Sequence, residues 1–248
     1  MSRYFVKLAY DGTPFHGWQI QPNANTVQQE IQKALSTILG TKTEVVGCGR
    51  TDTGVHASAY FLHFDSDNDF EEDKLISQLN GLLPVEIGIC EVYKVTQGSH
   101  ARFDATLRSY EYRIVRVKSP FEVKRAYQFR LLLDVNAMNL AAKYLLNITD
   151  FASFCKLGSD AKTTICKVTQ AQWEQKNELL IFKISADRFL RNMVRAIVGT
   201  LMDVGLGKIS FEAFKSIIET GNRSDAGTSV PAHGLYLTHV EYPKNRVA

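Results

Sequence analysis

The feature that most constrains this chain is an order of elements that occurs twice. Arg3 to Tyr10 alternates, with Tyr4, Val6, Leu8 and Tyr10 on one face, the period of a strand. Thr26 then opens a helix, with Gln29 completing a capping box and Gly40 supplying the stop. Strand-favouring residues follow at Thr43–Val46 and Ala59–Phe64. A second helix from about Asp69 ends at Pro84, and Ile87–Tyr93 is another strand. This is β-α-β-β-α-β, the split βαβ or ferredoxin-like unit.

The second half repeats the order with longer connections. Leu107–Val117 reads as a strand, Asp134 caps a helix, and strands are expected at about 163–175 and 178–185. A long helix is expected from about Arg188 to Val204, a shorter one from Ser210 to Thr220, and a last strand at Leu235–Tyr242. The expectation is an α+β protein of two domains, 1–104 and 105–248, with mainly antiparallel strands and helices on one face. No Gly/Ser or Pro linker separates them, so the boundary is soft.

Between two predicted strands lies Gly47-Cys48-Gly49-Arg50-Thr51-Asp52-Thr53-Gly54-Val55-His56-Ala57. Its three glycines and polar centre indicate a loop of unusual backbone geometry. Arg50, two residues before Asp52, would keep that carboxylate ionised and oriented, as a nucleophile or general base requires. A surface turn in which Asp52 caps a backbone amide fits the same local pattern.

Charge is unevenly placed. The whole chain is +3, whereas residues 102–130 alone are +5, with Arg102, Arg108, Arg113 and Arg130 among eight cations. Interleaved tyrosines make that segment compatible with a polyanion, and equally with a solvated basic face. Within it, Tyr110 and Tyr112 share one strand face, where they could pack in a core or stack on a nucleobase. On the predicted helix from Arg188, residues Arg188, Arg191, Asn192 and Arg195 fall on one face with no acid between them, which suits phosphate groups.

Other chemistries find little support. The six histidines show no HxxxH or HExxH spacing, and the four cysteines form no CxxC pair. There is no Walker A loop, no GxGxxG after a strand and no serine nucleophile elbow. The amino terminus lacks an apolar signal region and no run approaches membrane-spanning length, so reduced thiols in a cytoplasmic protein are expected.

These stretches together closely resemble the TruA family of tRNA pseudouridine synthases. The resemblance rests on Tyr10-Asp11-Gly12 with Phe15-His16-Gly17-Trp18-Gln19, the Gly49–Ala57 loop, Ala101-Arg102-Phe103-Asp104-Ala105, and Arg108-Ser109-Tyr110-Glu111-Tyr112. It continues through Phe189-Leu190-Arg191-Asn192-Met193-Val194-Arg195 with Val198-Gly199, and Gly234-Leu235-Tyr236-Leu237. Thr53 stands where alanine is commonest.

The resemblance implies isomerisation of uridine to pseudouridine at positions 38 to 40 of the tRNA anticodon stem-loop, without metal or organic cofactor. It implies two ferredoxin-like halves joined in a continuous sheet, a central active-site cleft, and a homodimer. Matched residue by residue, Asp52 is the catalytic aspartate, Arg50 and Arg195 flank it, Tyr110 stacks on the target base, and Leu235 lines the pocket. Arg102, Arg108, Arg188 and Arg191 are candidate phosphate contacts. Asp52 could attack C1′, add to C6 or remove the 2′ proton. A non-catalytic RNA-binding module and a metal-dependent nuclease are the alternative classes.

Overall fold

The computed structural model describes residues 1–159 and 161–243. In chain order the elements are β1 (Ser2–Tyr10), α1 (Val27–Leu39), β2 (Val46–Gly47), β3 (His56–Ser66), α2 (Glu72–Leu82) and β4 (Ile87–Val95). There follow β5 (Leu107–Val115), β6 (Tyr127–Gln128), α3 (Val135–Tyr144), β7 (Val168–Lys176), β8 (Leu179–Ala186), α4 (Met193–Gly205), α5 (Phe211–Thr220) and β9 (Leu235–Glu241). The α+β class follows directly. Two compact units divide the chain: Met1–Leu107 with the segment from Tyr236 onward, and Arg108–Leu235.

In the first unit the strands run β4-β1-β3-β9, with β2 also on β3. β1 is antiparallel to both β3 and β4, whereas β9 is parallel to β3, pairing Tyr236 with His56. Alternation sorts the sheet faces. Tyr4, Val6, Leu8 and Tyr10 are buried on one face, where Phe70 packs on Tyr4 and Phe64 just before α2. The other face carries a second apolar cluster of Phe5, Val95 and Ala101, with Phe61, Tyr93 and Tyr242 against it.

The capping signals act where the sequence places them. Thr26 Oγ1 accepts from the Gln29 N–H at 3.4 Å, and Gly40 ends α1 at φ 70°. The expected strand at Thr43–Val46 is shorter, because Gln28 and Gln32 of α1 take both backbone groups of Val45, at 3.0 and 3.2 Å. What remains of it is β2.

The second unit holds β5-β8-β7, all antiparallel, with β6 parallel to the end of β5. Asp134 Oδ1 caps α3 through the N–H groups of Asn136 and Ala137, and Ser210 Oγ caps α5. In α4 only Arg195 and Asp203 escape burial; a helix apolar on all sides belongs inside a core.

The expected helix from Arg188 is corrected here. Residues 187–192 are not helical, and α4 begins at Met193 after Asn192, which sits at φ 66°. Asp187 Oδ1 accepts from the N–H groups of Lys167 and Arg188, and the Arg191 carbonyl accepts from Lys156 N–H. These bonds hold the segment against distant chain, and a side chain that satisfies the backbone locally competes with a helix. Asparagine is the residue that most readily follows glycine into the left-handed region. Arg188 and Arg191 therefore do not share a helical face with Arg195.

Candidate active site

In the first unit Asp52 sits half-buried on the connection between β2 and β3, with exposed Arg50 two residues before it. The loop is clamped by the segment that follows β1. The Thr51 carbonyl accepts from Trp18 N–H at 3.2 Å, and the Thr51 hydroxyl bonds the Tyr10 hydroxyl at 2.9 Å. The Tyr60 hydroxyl donates to the Gly49 carbonyl at 2.5 Å, while its ring stacks on Trp18 at 4.1 Å. Gly54 N–H reaches the Phe15 carbonyl, and Val55 N–H closes a turn on the Asp52 carbonyl at 3.1 Å.

Two glycines make the clamp possible. A methyl group on Gly12 would overlap the Val55 carbonyl, and one on Gly17, at φ 87°, would overlap the Thr51 carbonyl. Backbone lies on backbone on both sides of Asp52. At the loop's far end His56 is buried; its Nδ1 accepts from Gly12 N–H at 3.1 Å, and its ring stacks on Tyr236 at 4.5 Å. Tyr10, Gly12, Phe15, Gly17, Trp18 and Tyr60 are thus positioning residues. The turn-rich run of glycines and aromatics after Tyr10 was the signal for Gly12, Phe15, Gly17 and Trp18, but not for the atoms they touch.

The second unit carries the other candidates except Arg102, which is in the first. Tyr110 is half-buried and meets Phe189 edge to face at 5.0 Å. Its strand neighbour Tyr112 is fully buried, with its hydroxyl donating to the Pro231 carbonyl at 2.8 Å. Burial pushes the Tyr112 phenol far above its ordinary value, so it stays protonated at any working pH. Of the two tyrosines, Tyr112 is built into the core, whereas Tyr110 stays partly exposed.

Arg195 Nε donates to the Val230 carbonyl at 2.7 Å, on a loop drawn tightly onto α4. Gly199 has no room for a Cβ beside the Thr228 carbonyl, Thr200 Oγ1 accepts from Gly227 N–H, and Asn192 Nδ2 donates to Ser229 Oγ at 2.6 Å. That loop leads to Leu235, which is buried. Gly234 allows the backbone there to lie against Tyr112 and the Arg113 carbonyl.

The remaining cations are dispersed. Arg108 donates to the Asp187 carbonyl at 3.0 Å, Arg188 is half-buried, and Arg191 and Arg102 are exposed. A hollow of about 580 Å³ in this unit is lined by Glu111, Arg113, Val115, Phe121 and Lys183. These β5 residues alternate with Tyr110 and Tyr112, so the hollow is on the opposite sheet face and holds none of the candidates. Among the described residues no group of three or more His, Cys, Asp or Glu is arranged to hold a metal ion, and no helix is long and apolar enough to cross a membrane.

Against known families, residues 8–104 and 141–243 match the model for tRNA pseudouridine synthases. The chain is 52% identical to tRNA pseudouridine synthase A of Bacteroides fragilis, covering 98% of each chain. It is 50% identical to that of Bacteroides thetaiotaomicron over 99% of this chain and 92% of the relative. It is 40% identical to that of Bacillus subtilis over 95% and 97%. An α+β fold with full-length similarity of this kind defines a pseudouridine synthase by class. The chain belongs to the tRNA pseudouridine synthase family.

Proposed function

We propose that the chain isomerises uridine to pseudouridine in tRNA, at positions 38, 39 or 40 of the anticodon stem-loop, with Asp52 as the catalytic group. The observation that carries this reading is Asp52 itself, on a loop fixed from both sides in a chain of this family. Catalysis rewards a carboxylate held in place before substrate arrives, since misplacement by about 1 Å can cost about 10²-fold in rate.

The reaction moves atoms without net addition. The N1–C1′ bond breaks, the uracil turns, C5 bonds to C1′, and the C5 proton leaves as N1 gains one. The Asp52 carboxylate serves attack at C1′, addition to C6, or removal of the 2′ proton. The motif match assigns electrostatic support to Arg50 and Arg195, stacking and C5 proton transfer to Tyr110, and an apolar pocket wall to Leu235. Extrusion of the target nucleotide costs a few kcal/mol. Phosphate contacts from Arg102, Arg188 and Arg191 offset it, with Arg108, which already bonds backbone, contributing more to shape. The reading extends to a homodimer working in the cytoplasm.

The experiment is tritium release from unmodified tRNA carrying 5-tritiated uridine, with pseudouridine mapped by position. Release accompanied by product at 38, 39 or 40 supports the proposal. A folded protein that binds this tRNA and releases no tritium refutes it.

A further inference from the structure

From Asn222 to Pro231 the second unit forms neither helix nor strand, yet its chain is gathered around one half-buried cation. Arg223 Nη1 donates to the Ala226 and Gly227 carbonyls at 3.3 and 3.2 Å, and Nη2 donates to Ser229 Oγ at 2.8 Å. All three acceptors are uncharged. Asp225, the acid nearest in sequence, turns its two carboxylate oxygens to Thr220 and Asn222 instead. A planar guanidinium serves several acceptors at once in a fixed fork, so spread over loop oxygens it sets backbone shape.

Ser229 carries this clamp to α4. Its Oγ also accepts from Asn192 Nδ2 at 2.6 Å, and Asn192 is the left-handed residue from which α4 starts. One residue on, Val230 N–H donates to the Arg195 carbonyl at 3.2 Å. The Val230 carbonyl in turn accepts from Arg195 Nε at 2.7 Å. Backbone and side chain of Arg195 are thus both tied to one loop residue. Nε is the root of the planar guanidinium, so the place of the Val230 carbonyl constrains where the whole group points. Arg223 acts on that place through Ser229, the residue before Val230.

We propose that Arg223 is a positioning residue for the isomerisation, holding the loop from Ala226 to Val230 so that the Val230 carbonyl aims the Arg195 guanidinium. The proposal rests on the reading above in which Arg195 supports the reaction electrostatically. A cation fixed in advance stabilises developing charge without having to reorganise. Arg223 itself spends its donors inside the loop, and its effect falls on the chemical step, not on capture of tRNA.

The test compares full-length wild type with Arg223→Ala, Arg223→Lys, Ser229→Ala and Arg195→Ala. Each is assayed for single-turnover pseudouridine formation at saturating protein, and for tRNA affinity at several salt concentrations. All assays run below the melting temperature of every variant. Arg223→Ala should slow the chemical step about 10- to 100-fold, the scale of a misplacement of up to about 1 Å. Arg223→Lys should be slow as well, since its charge remains and its fork is gone. Ser229→Ala should be slowed in the same direction, with Arg223 intact. Affinity for tRNA should stay at the wild-type value in all three. A wild-type rate in Arg223→Ala or Arg223→Lys overturns the proposal, the latter by showing that charge alone suffices. A wild-type rate in Ser229→Ala overturns the link to α4, and the proposal with it. Weaker binding by Arg223→Ala with a salt slope lowered by about 0.7–0.9 makes Arg223 a phosphate contact, which also overturns it. Failures beneath it are distinguishable. A fully active Arg195→Ala removes the role of Arg195, and a wild type that forms no pseudouridine removes the tRNA reading itself.

Discussion

Gly17 and Thr51 lie so close that a single methyl group on residue 17 would overlap the Thr51 carbonyl oxygen. This contact joins the segment after β1 to the residue preceding Asp52, and it converts a flexible-looking loop into a fixed platform.

Gly17→Ala should therefore disturb catalysis more than folding. A non-glycine residue in the left-handed region costs about 1–2 kcal/mol, and displacing the Asp52 loop by about 1 Å should slow chemistry by about 10²-fold. Gly40→Ala is the control: it has the same sign of φ, at 70°, but nothing within 4 Å of its added Cβ. It should lose only the conformational part, about 1–2 kcal/mol, and keep full turnover. Urea unfolding with single-turnover kinetics checks both, and a Gly17→Ala protein at the wild-type chemical rate would contradict the platform argument.

Asp52→Asn isolates charge from shape. The amide fills the same half-buried space, so the fold and tRNA binding through remote phosphates should survive while pseudouridine formation stops. Appreciable tritium release by the purified variant would remove Asp52 from the essential role.

Much of this was legible because its causes are local. Thr26, Asp134 and Ser210 each cap a helix within three residues of themselves, and Gly40 ends one alone. The Arg188–Asn192 segment was not, since the bonds that unwind it come from Lys167, twenty residues before Asp187, and from Lys156, further still from Arg191. Periodicity placed Arg188, Arg191 and Arg195 on one face; tertiary hydrogen bonds overrode it. Likewise Tyr110 and Tyr112 look alike as a pair, and burial of Tyr112 beneath the Pro231 carbonyl tells them apart. The motif around Asp52 was readable, whereas its clamp depends on which backbones lie together, and that has no periodic signature.

The two tyrosines should separate in experiment. Tyr110→Phe keeps the ring against Phe189 and deletes the hydroxyl, so tRNA binding should hold while the chemical step slows by about 10²–10⁴-fold. Tyr112→Phe removes a buried hydrogen bond and leaves the Pro231 carbonyl without that donor, costing about 1–3 kcal/mol of stability. Its chemical rate at saturating protein should change little. Equal single-turnover rates for wild type and Tyr110→Phe would leave Tyr110 with stacking alone.

Stability should also fall on mild acidification, through His63. This ring is 4% exposed, and its Nδ1 accepts the Ala101 N–H, a bond that protonation would destroy. Burial, then the nearby Arg3 guanidinium and His100, depress its pKa from 6.5 to about 4, against the opposing pull of Asp65 and Asp104. His100 is shifted in the same direction, chiefly by burial. The sign follows from linkage: the neutral ring is favoured in the fold, so its contribution is fully present above pH 6.5 and is lost as pH falls toward about 4. Its size is about 3 kcal/mol. Asp65 is depressed by its Arg3 bond and so weakens the fold only at lower pH, outside that window. His63→Gln keeps an acceptor and removes the titration, so its urea midpoint should be flatter than wild type between pH 6.5 and 4.5. Parallel midpoint curves for the two proteins would show that His63 does not govern acid stability, and the anchor at Ala101 would then not depend on its protonation.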